Sequence, residues 1–213
     1  RFARVSPDGE EGYPGTLRAA VSYRLQGNTL AIEYEASADE DTLCNLTNHS
    51  YFNLNGGGAV LSHTLQINAE EFLENGAATL PTGNRLPVAG TPFDFRVPKR
   101  IGQDIGADDI QLRNCGGYDH NFCLTGDPAA VLRGDVSGIT MKVRTTLPGV
   151  QLYTANVLTE RRGKNGAVYV PRGALCLETQ YFPNAMACEG FEKPILRAGE
   201  SWNHRTTLAF SGT

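Results

Sequence analysis

Two alternating apolar runs on either side of a short polar turn constrain this chain's fold more than any other feature. Residues 17 to 25 (Leu17, Ala19, Val21, Tyr23) and 30 to 37 (Leu30, Ile32, Tyr34) follow a period of two and flank Gln26-Gly27-Asn28-Thr29, which predicts an antiparallel hairpin. The same pattern over residues 138 to 147 and 150 to 158, with Pro148-Gly149 between them, predicts a second hairpin. Residues 61 to 68, 118 to 124, 174 to 182 and 204 to 210 carry alternating or short apolar patterns of strand length, bringing the expectation to eight or more strands. No strand-helix-strand alternation is visible, so the prediction is an all-β antiparallel sandwich or barrel. Residues 69 to 116 are less periodic and read as a long loop region. Short strands or one helical turn near Ile101 to Ile105 are expected there, with turns at Leu80-Pro81-Thr82-Gly83 and Thr91-Pro92-Phe93-Asp94. With 213 residues and 40% hydrophobic content, the chain can bury a sizeable core and is read as one domain spanning 1–213.

Charge and cysteine usage exclude several function classes. The net charge is -4, and the largest basic clusters are only Arg161-Arg162 and Lys99-Arg100, too little to hold a nucleic-acid backbone. No apolar run approaches the ~18 residues that span a bilayer, so a soluble protein with no membrane partner is expected. Cys44, Cys115, Cys123, Cys176 and Cys188 are odd in number and lack metal-ligand spacing, which fits reduced thiols in a cytoplasmic protein. The triplets Asn45-Leu46-Thr47 and Asn48-His49-Ser50 are accordingly read as accidental glycosylation matches. A monomer is the default, since no apolar surface stripe stands out.

Three titratable groups interrupt this β pattern. TNHSYFNLNG, residues 47 to 56, places His49 in a segment that reads as a strand entering a Gly-rich turn. GGYDHNFCL (116 to 124) and ALCLETQYFPNA (174 to 185) set Asp119 and Glu178 in mostly apolar runs, where a carboxylate is costly to bury unless it is paired or used. Alternation puts Cys176, Glu178 and Gln180 on one face of their strand, Gln151 with Tyr153, and Thr47 with His49 and Tyr51. His120 falls on the face opposite Asp119 and is read as structural, while His63 and His204 are read as surface or edge residues. Imidazole titrates near 6.5 and burial raises a carboxyl toward it, so His49 and Glu178 are suited to work as general acid and base. Such a pair suffices for sugar anomerisation, which needs no metal or redox cofactor. A metal site from His49, Asp119 and His120 has no ligand spacing to recommend it.

The segments TNHSYFNL, GYDHNFCL, QLYTANVL followed by Gly163-Lys164-Asn165-Gly166, and CLETQYFPNA occur in an order that resembles the aldose 1-epimerase (galactose mutarotase) family. Thr91-Pro92-Phe93-Asp94-Phe95 and the closing Pro194-Ile195-Leu196-Arg197-Ala198-Gly199-Glu200 extend the likeness over essentially the whole chain. The resemblance implies a β-sandwich of the galactose mutarotase type, with a free hexose on the concave face of one broad sheet. His49 would then protonate the ring oxygen, Glu178 would act as base at the C1 hydroxyl, Asp119 would bind sugar hydroxyls, and Gln151 would add a polar contact. Family members begin with a region that supplies further strands, a second substrate-binding His and an Arg. The chain resembles the last two-thirds of such a protein, and the expectation is a sandwich that lacks those N-terminal strands or associates with a segment that carries them. Two alternatives stand beside this reading. A hexose-6-phosphate 1-epimerase would want clustered Arg or Lys beside the motifs, and none is found. A non-catalytic sugar binder would need neither His49 nor Glu178 at C1.

Overall fold

The computed structural model describes residues 1–76 and 78–212. Its strands in chain order begin with β1 (Phe2–Ser6), β2 (Leu17–Gln26), β3 (Thr29–Ala38) and β4 (Thr42–Leu43). Next come β5 (Thr64–Ile67), β6 (Ala69–Asn75), β7 (Pro81–Pro87) and β8 (Lys99–Arg100), and then a short helix, α1 (Ile110–Cys115). After it lie β9 (Asp119–Leu124), β10 (Ala130–Arg133), β11 (Thr140–Thr145), β12 (Gly149–Tyr153), β13 (Arg161–Arg162) and β14 (Val168–Tyr169). The last three are β15 (Cys176–Gln180), β16 (Ile195–Leu196) and β17 (Ser201–Ser211). An eight-stranded sheet in the order β1-β2-β3-β17-β11-β10-β5-β8 and a five-stranded sheet in the order β15-β12-β9-β6-β7 account for most of them. Pairing is antiparallel throughout both sheets.

The two sheets share one core. Ile32, Leu65, Leu132, Met141, Val143 and Leu208 of the larger sheet pack with Phe72, Phe122, Val150, Leu152 and Leu177 of the smaller one. Phe72 and Phe93 stack at 4.0 Å near its centre. Each buried side chain of this size contributes about 1.5–3 kcal/mol of transfer free energy, so the alternating runs lock which face of each strand turns inward. The expected all-β antiparallel sandwich is what forms.

The first predicted hairpin is present: Gln26 pairs with Thr29, leaving Gly27 and Asn28 as the turn, with Gly27 at φ 58. The second is not. β11 pairs with β17 and β10 in the larger sheet, whereas β12 pairs with β9 and β15 in the smaller one. The amide of Thr146 still donates to Arg205 in the first sheet, while the carbonyl of Pro148 already accepts from Leu124 in the second. Leu147, 3% exposed, is buried between the sheets, so the Pro-Gly bend turns a corner of the sandwich instead of closing a hairpin. The strand expected over 150 to 158 ends at Tyr153, and Ala155 takes a positive φ of 51.

The region read as a loop holds more structure than its periodicity suggested. β6 and β7 form a hairpin with Asn75 opposite Pro81, so Leu80-Pro81-Thr82-Gly83 opens a strand and is not a turn. Proline is tolerated there because β7 is an edge strand and Pro81 is its first residue. The helical turn near Ile101 exists as a 3-10 turn, Ile101–Gln103. α1 also lies in this region and has good end signals: Asp109 caps the amides of Gln111 and Leu112, and Gly116 closes it at φ 63. Among the described residues no helix is long and apolar enough to cross a membrane.

Candidate active site

The register of the smaller sheet builds the site. Glu178, Gln151 and Asn121 are directly paired across β15, β12 and β9, and Cys176, Tyr153 and Asp119 form the adjacent row. Paired residues share a face, so these six side chains point to the outer face of the sheet while Leu152, Leu177 and His120 point into the core. Gly149 is required on this face, because a Cβ there would come within 2.7 Å of the Asn121 amide.

Residues 45 to 52 bring His49 to the same surface. The segment runs along the free edge of β15, held at one end by Asn45, whose amide group exchanges hydrogen bonds with the main chain of Tyr181 at 3.0 and 3.2 Å. At the other end Phe52 and Leu175 pair through both main-chain bonds, at 2.7 and 3.0 Å. The expected strand is therefore reduced to one bridge at Phe52, followed by the expected Gly-rich turn. The unpaired stretch between the two anchors arches over the sheet and carries His49. Its ring stacks on Tyr51 at 5.2 Å and meets Tyr153 edge-on at 6.3 Å.

A cleft of about 760 Å³ results, lined by His49, Tyr51, Asp119, Gln151, Tyr153 and Glu178, with Asn114, Asn156 and Gln180 among its further wall residues. His49 Nε2 lies 3.6 Å from Glu178 Oε1. Gln151 Nε2 donates to Asp119 Oδ1 at 2.7 Å. Burial raises the Glu178 carboxyl above the ordinary range; His49 opposes that rise and the nearby Asp119 carboxylate adds to it. Burial likewise raises Asp119, against the Gln151 hydrogen bond and the charge of His49. The four residues singled out from the sequence, His49, Asp119, Gln151 and Glu178, thus meet in one cleft.

His120 is fully buried against Phe72 and Phe93, and its Nδ1 accepts from the Asp119 amide at 3.1 Å. It therefore cannot join His49 and Asp119 around a cation. A different trio does converge: donor atoms of His49, Cys176 and Glu178 lie within 4.8 Å of one another. His63 is fully buried, contrary to the surface or edge position expected, and its Nε2 accepts from the Leu54 amide at 3.1 Å. His204 is half-buried on β17, a central strand, between Thr146 and Tyr181.

Two residues outside the expected set brace the turn behind the cleft. Arg172 donates to Thr154 Oγ1 at 2.8 Å and to the Gly116 carbonyl at 2.5 Å, and also to Asn156. Asn156 donates to the carbonyls of Cys115 and Tyr118 at 2.9 and 3.0 Å. Together they fix the turn that delivers Asp119. Asn156 belongs to the QLYTANVL segment but lies beyond the strand, where alternation gives no signal.

The aldose 1-epimerase family model matches residues 1–209. The galactose mutarotase of Mus musculus is 45% identical over 218 residues, covering 99% of this chain and 62% of that protein. Among solved structures, an aldose epimerase homologue from C. elegans superposes with a TM-score of 0.91 at 30% identity, covering 100% of this chain and 65% of that one. The galactose 1-epimerase from Lactobacillus acidophilus NCFM gives 0.88 at 32% identity, covering 99% and 61%. The chain thus spans about three-fifths of the length of these relatives.

Proposed function

The chain belongs to the aldose 1-epimerase family, and from that premise we propose that it interconverts the α and β anomers of a free hexose such as galactose or glucose. The observation that carries this reading is the 3.6 Å separation of His49 Nε2 and Glu178 Oε1 in an open cleft. The anomeric carbon bears both the ring oxygen and the C1 hydroxyl, so an acid for one and a base for the other must act within a few ångströms of each other. Glu178 takes the C1 hydroxyl proton while His49 gives a proton to the ring oxygen, and the bond from C1 to that oxygen breaks to leave an open-chain aldehyde. Rotation about the bond from C1 to C2 presents the other face, and the reverse transfers close the second anomer.

Burial favours this role for Glu178, since a carboxyl raised toward neutrality is a better base than one left in water. Asp119 and Gln151, held together by their hydrogen bond, supply acceptors and donors for sugar hydroxyls. The described residues lining the cleft include no Lys or Arg, which counts against a phosphorylated hexose. We read residues 1–213 as one domain because one core joins both sheets, and the five free, buried cysteines support a reducing, cytoplasmic setting.

The test is polarimetry of freshly dissolved α-galactose, α-glucose and a hexose 6-phosphate with the protein added. Accelerated mutarotation of a free hexose above the buffer rate is expected. Acceleration confined to the phosphorylated sugar, or none at all, contradicts the reading.

A further inference from the structure

We propose that His49, Cys176 and Glu178 form an inhibitory site for a thiophilic divalent cation of the Zn²⁺ class, whose binding removes both the acid and the base from use. The inference rests on the epimerase reading for its inhibitory consequence, while the binding itself rests on donor geometry.

Cys176 and Glu178 are two residues apart on β15 and share its outer face, and the arch over residues 45 to 52 brings the His49 ring above them. All three donor atoms lie within 4.8 Å of one another. Tetrahedral zinc, with bonds of about 2.0–2.3 Å, sets its donors roughly 3.3–3.7 Å apart. The His49 and Glu178 donors, at 3.6 Å, already meet that requirement. The longest donor separation exceeds this range by about 1 Å at most, a shift that side-chain rotation can supply. An imidazole nitrogen, a sulfur and a single carboxylate oxygen suit zinc or a neighbouring transition metal, and not Mg²⁺ or Ca²⁺, which ask for oxygen cages. Three protein donors leave a fourth position for water.

Cys176 has no part in the anomerisation chemistry. It is fully buried beneath the cleft and does not line it. On binding, the thiol proton leaves to solvent as the sulfur–metal bond forms, with no change in oxidation state.

Co²⁺ is the probe for the site, followed by absorption, and Zn²⁺ is the inhibitor, followed by polarimetry. The chain should show a thiolate-to-Co²⁺ charge-transfer band that Zn²⁺ displaces, and zinc should slow mutarotation reversibly, with relief by EDTA. Cys176→Ala and the nearly isosteric Cys176→Ser should keep the basal rate, lose the band, and require at least tenfold more zinc for the same inhibition, by analogy with the 10–100-fold losses seen when supporting groups at metal sites are removed. No sulfur-derived band in the unmodified chain, or equal zinc sensitivity in all three proteins, overturns the proposal. A band without any mutarotation would uphold the cation site and count against the epimerase reading, so the two failures are distinguishable.

Discussion

The side-chain amide of Gln151 on β12 donates to Asp119 Oδ1 on β9 at 2.7 Å, linking diagonal neighbours on the open face of the smaller sheet. That bond opposes the rise that burial imposes on the Asp119 carboxyl, and so helps to keep it an ionised acceptor.

Gln151→Ala removes this partner while leaving His49 and Glu178 in place. Hydrogen bonds to charged groups contribute about 1.5–3 kcal/mol, so kcat/KM for the hexose should fall by about 10- to 100-fold, chiefly through KM. Steady-state polarimetry over a range of sugar concentrations checks this. An unchanged KM with a large loss in kcat would instead place Gln151 in the proton transfers.

Leu152, the next residue on β12, is fully buried on the opposite face. Leu152→Ala should cost about 2–5 kcal/mol of unfolding free energy through lost burial and a residual cavity. Gln151→Ala leaves the core packed and removes one hydrogen bond, so it should cost less, no more than about 1.5–3 kcal/mol. Denaturant unfolding of the two variants measures the contrast, and similar losses would contradict the assigned faces.

Buried His120 predicts acid lability. Burial pushes its imidazole down to about 3, from an ordinary value of 6.5. Its neighbours are Cys115 Sγ at 3.8 Å, Phe72 and Phe93, none of which offers an anion. Below pH 6.5 the unfolded chain takes up a proton that the folded chain refuses, so its contribution is full above 6.5 and is lost progressively between 6.5 and about 3. At pH 5 the loss from this one group is about 2 kcal/mol. His120→Asn or His120→Gln should flatten the fall in unfolding free energy between pH 7 and 5, relative to the unmodified chain. An equally steep fall would contradict it.

Alternation made much of this site legible in advance. It separated Asp119 from His120 and put Glu178 beside Cys176 and Gln180, because a strand has only two faces and one of them must be buried. The arch carrying His49 has the pattern of a strand, because local pattern cannot show that Asn45 and Phe52 anchor only its ends. The corner at Pro148 carries the signal of a hairpin for a similar reason. Turn chemistry records that the chain bends, while competition from β17 and β9 for hydrogen bonds decides which sheet each arm joins. Arg172 and Asn156 left no trace in periodicity, since both act from irregular segments through carbonyls distant in sequence.

Glu178→Gln isolates the proposed base, keeping the shape of the side chain while removing its basicity. Mutarotation of α-galactose followed by optical rotation, beside a titration of sugar binding, should show the unmodified chain accelerating the change. The variant should bind galactose with the rate lowered on the order of 10²- to 10⁴-fold. A variant that turns over galactose as fast as the unmodified chain would show that the proton is taken elsewhere.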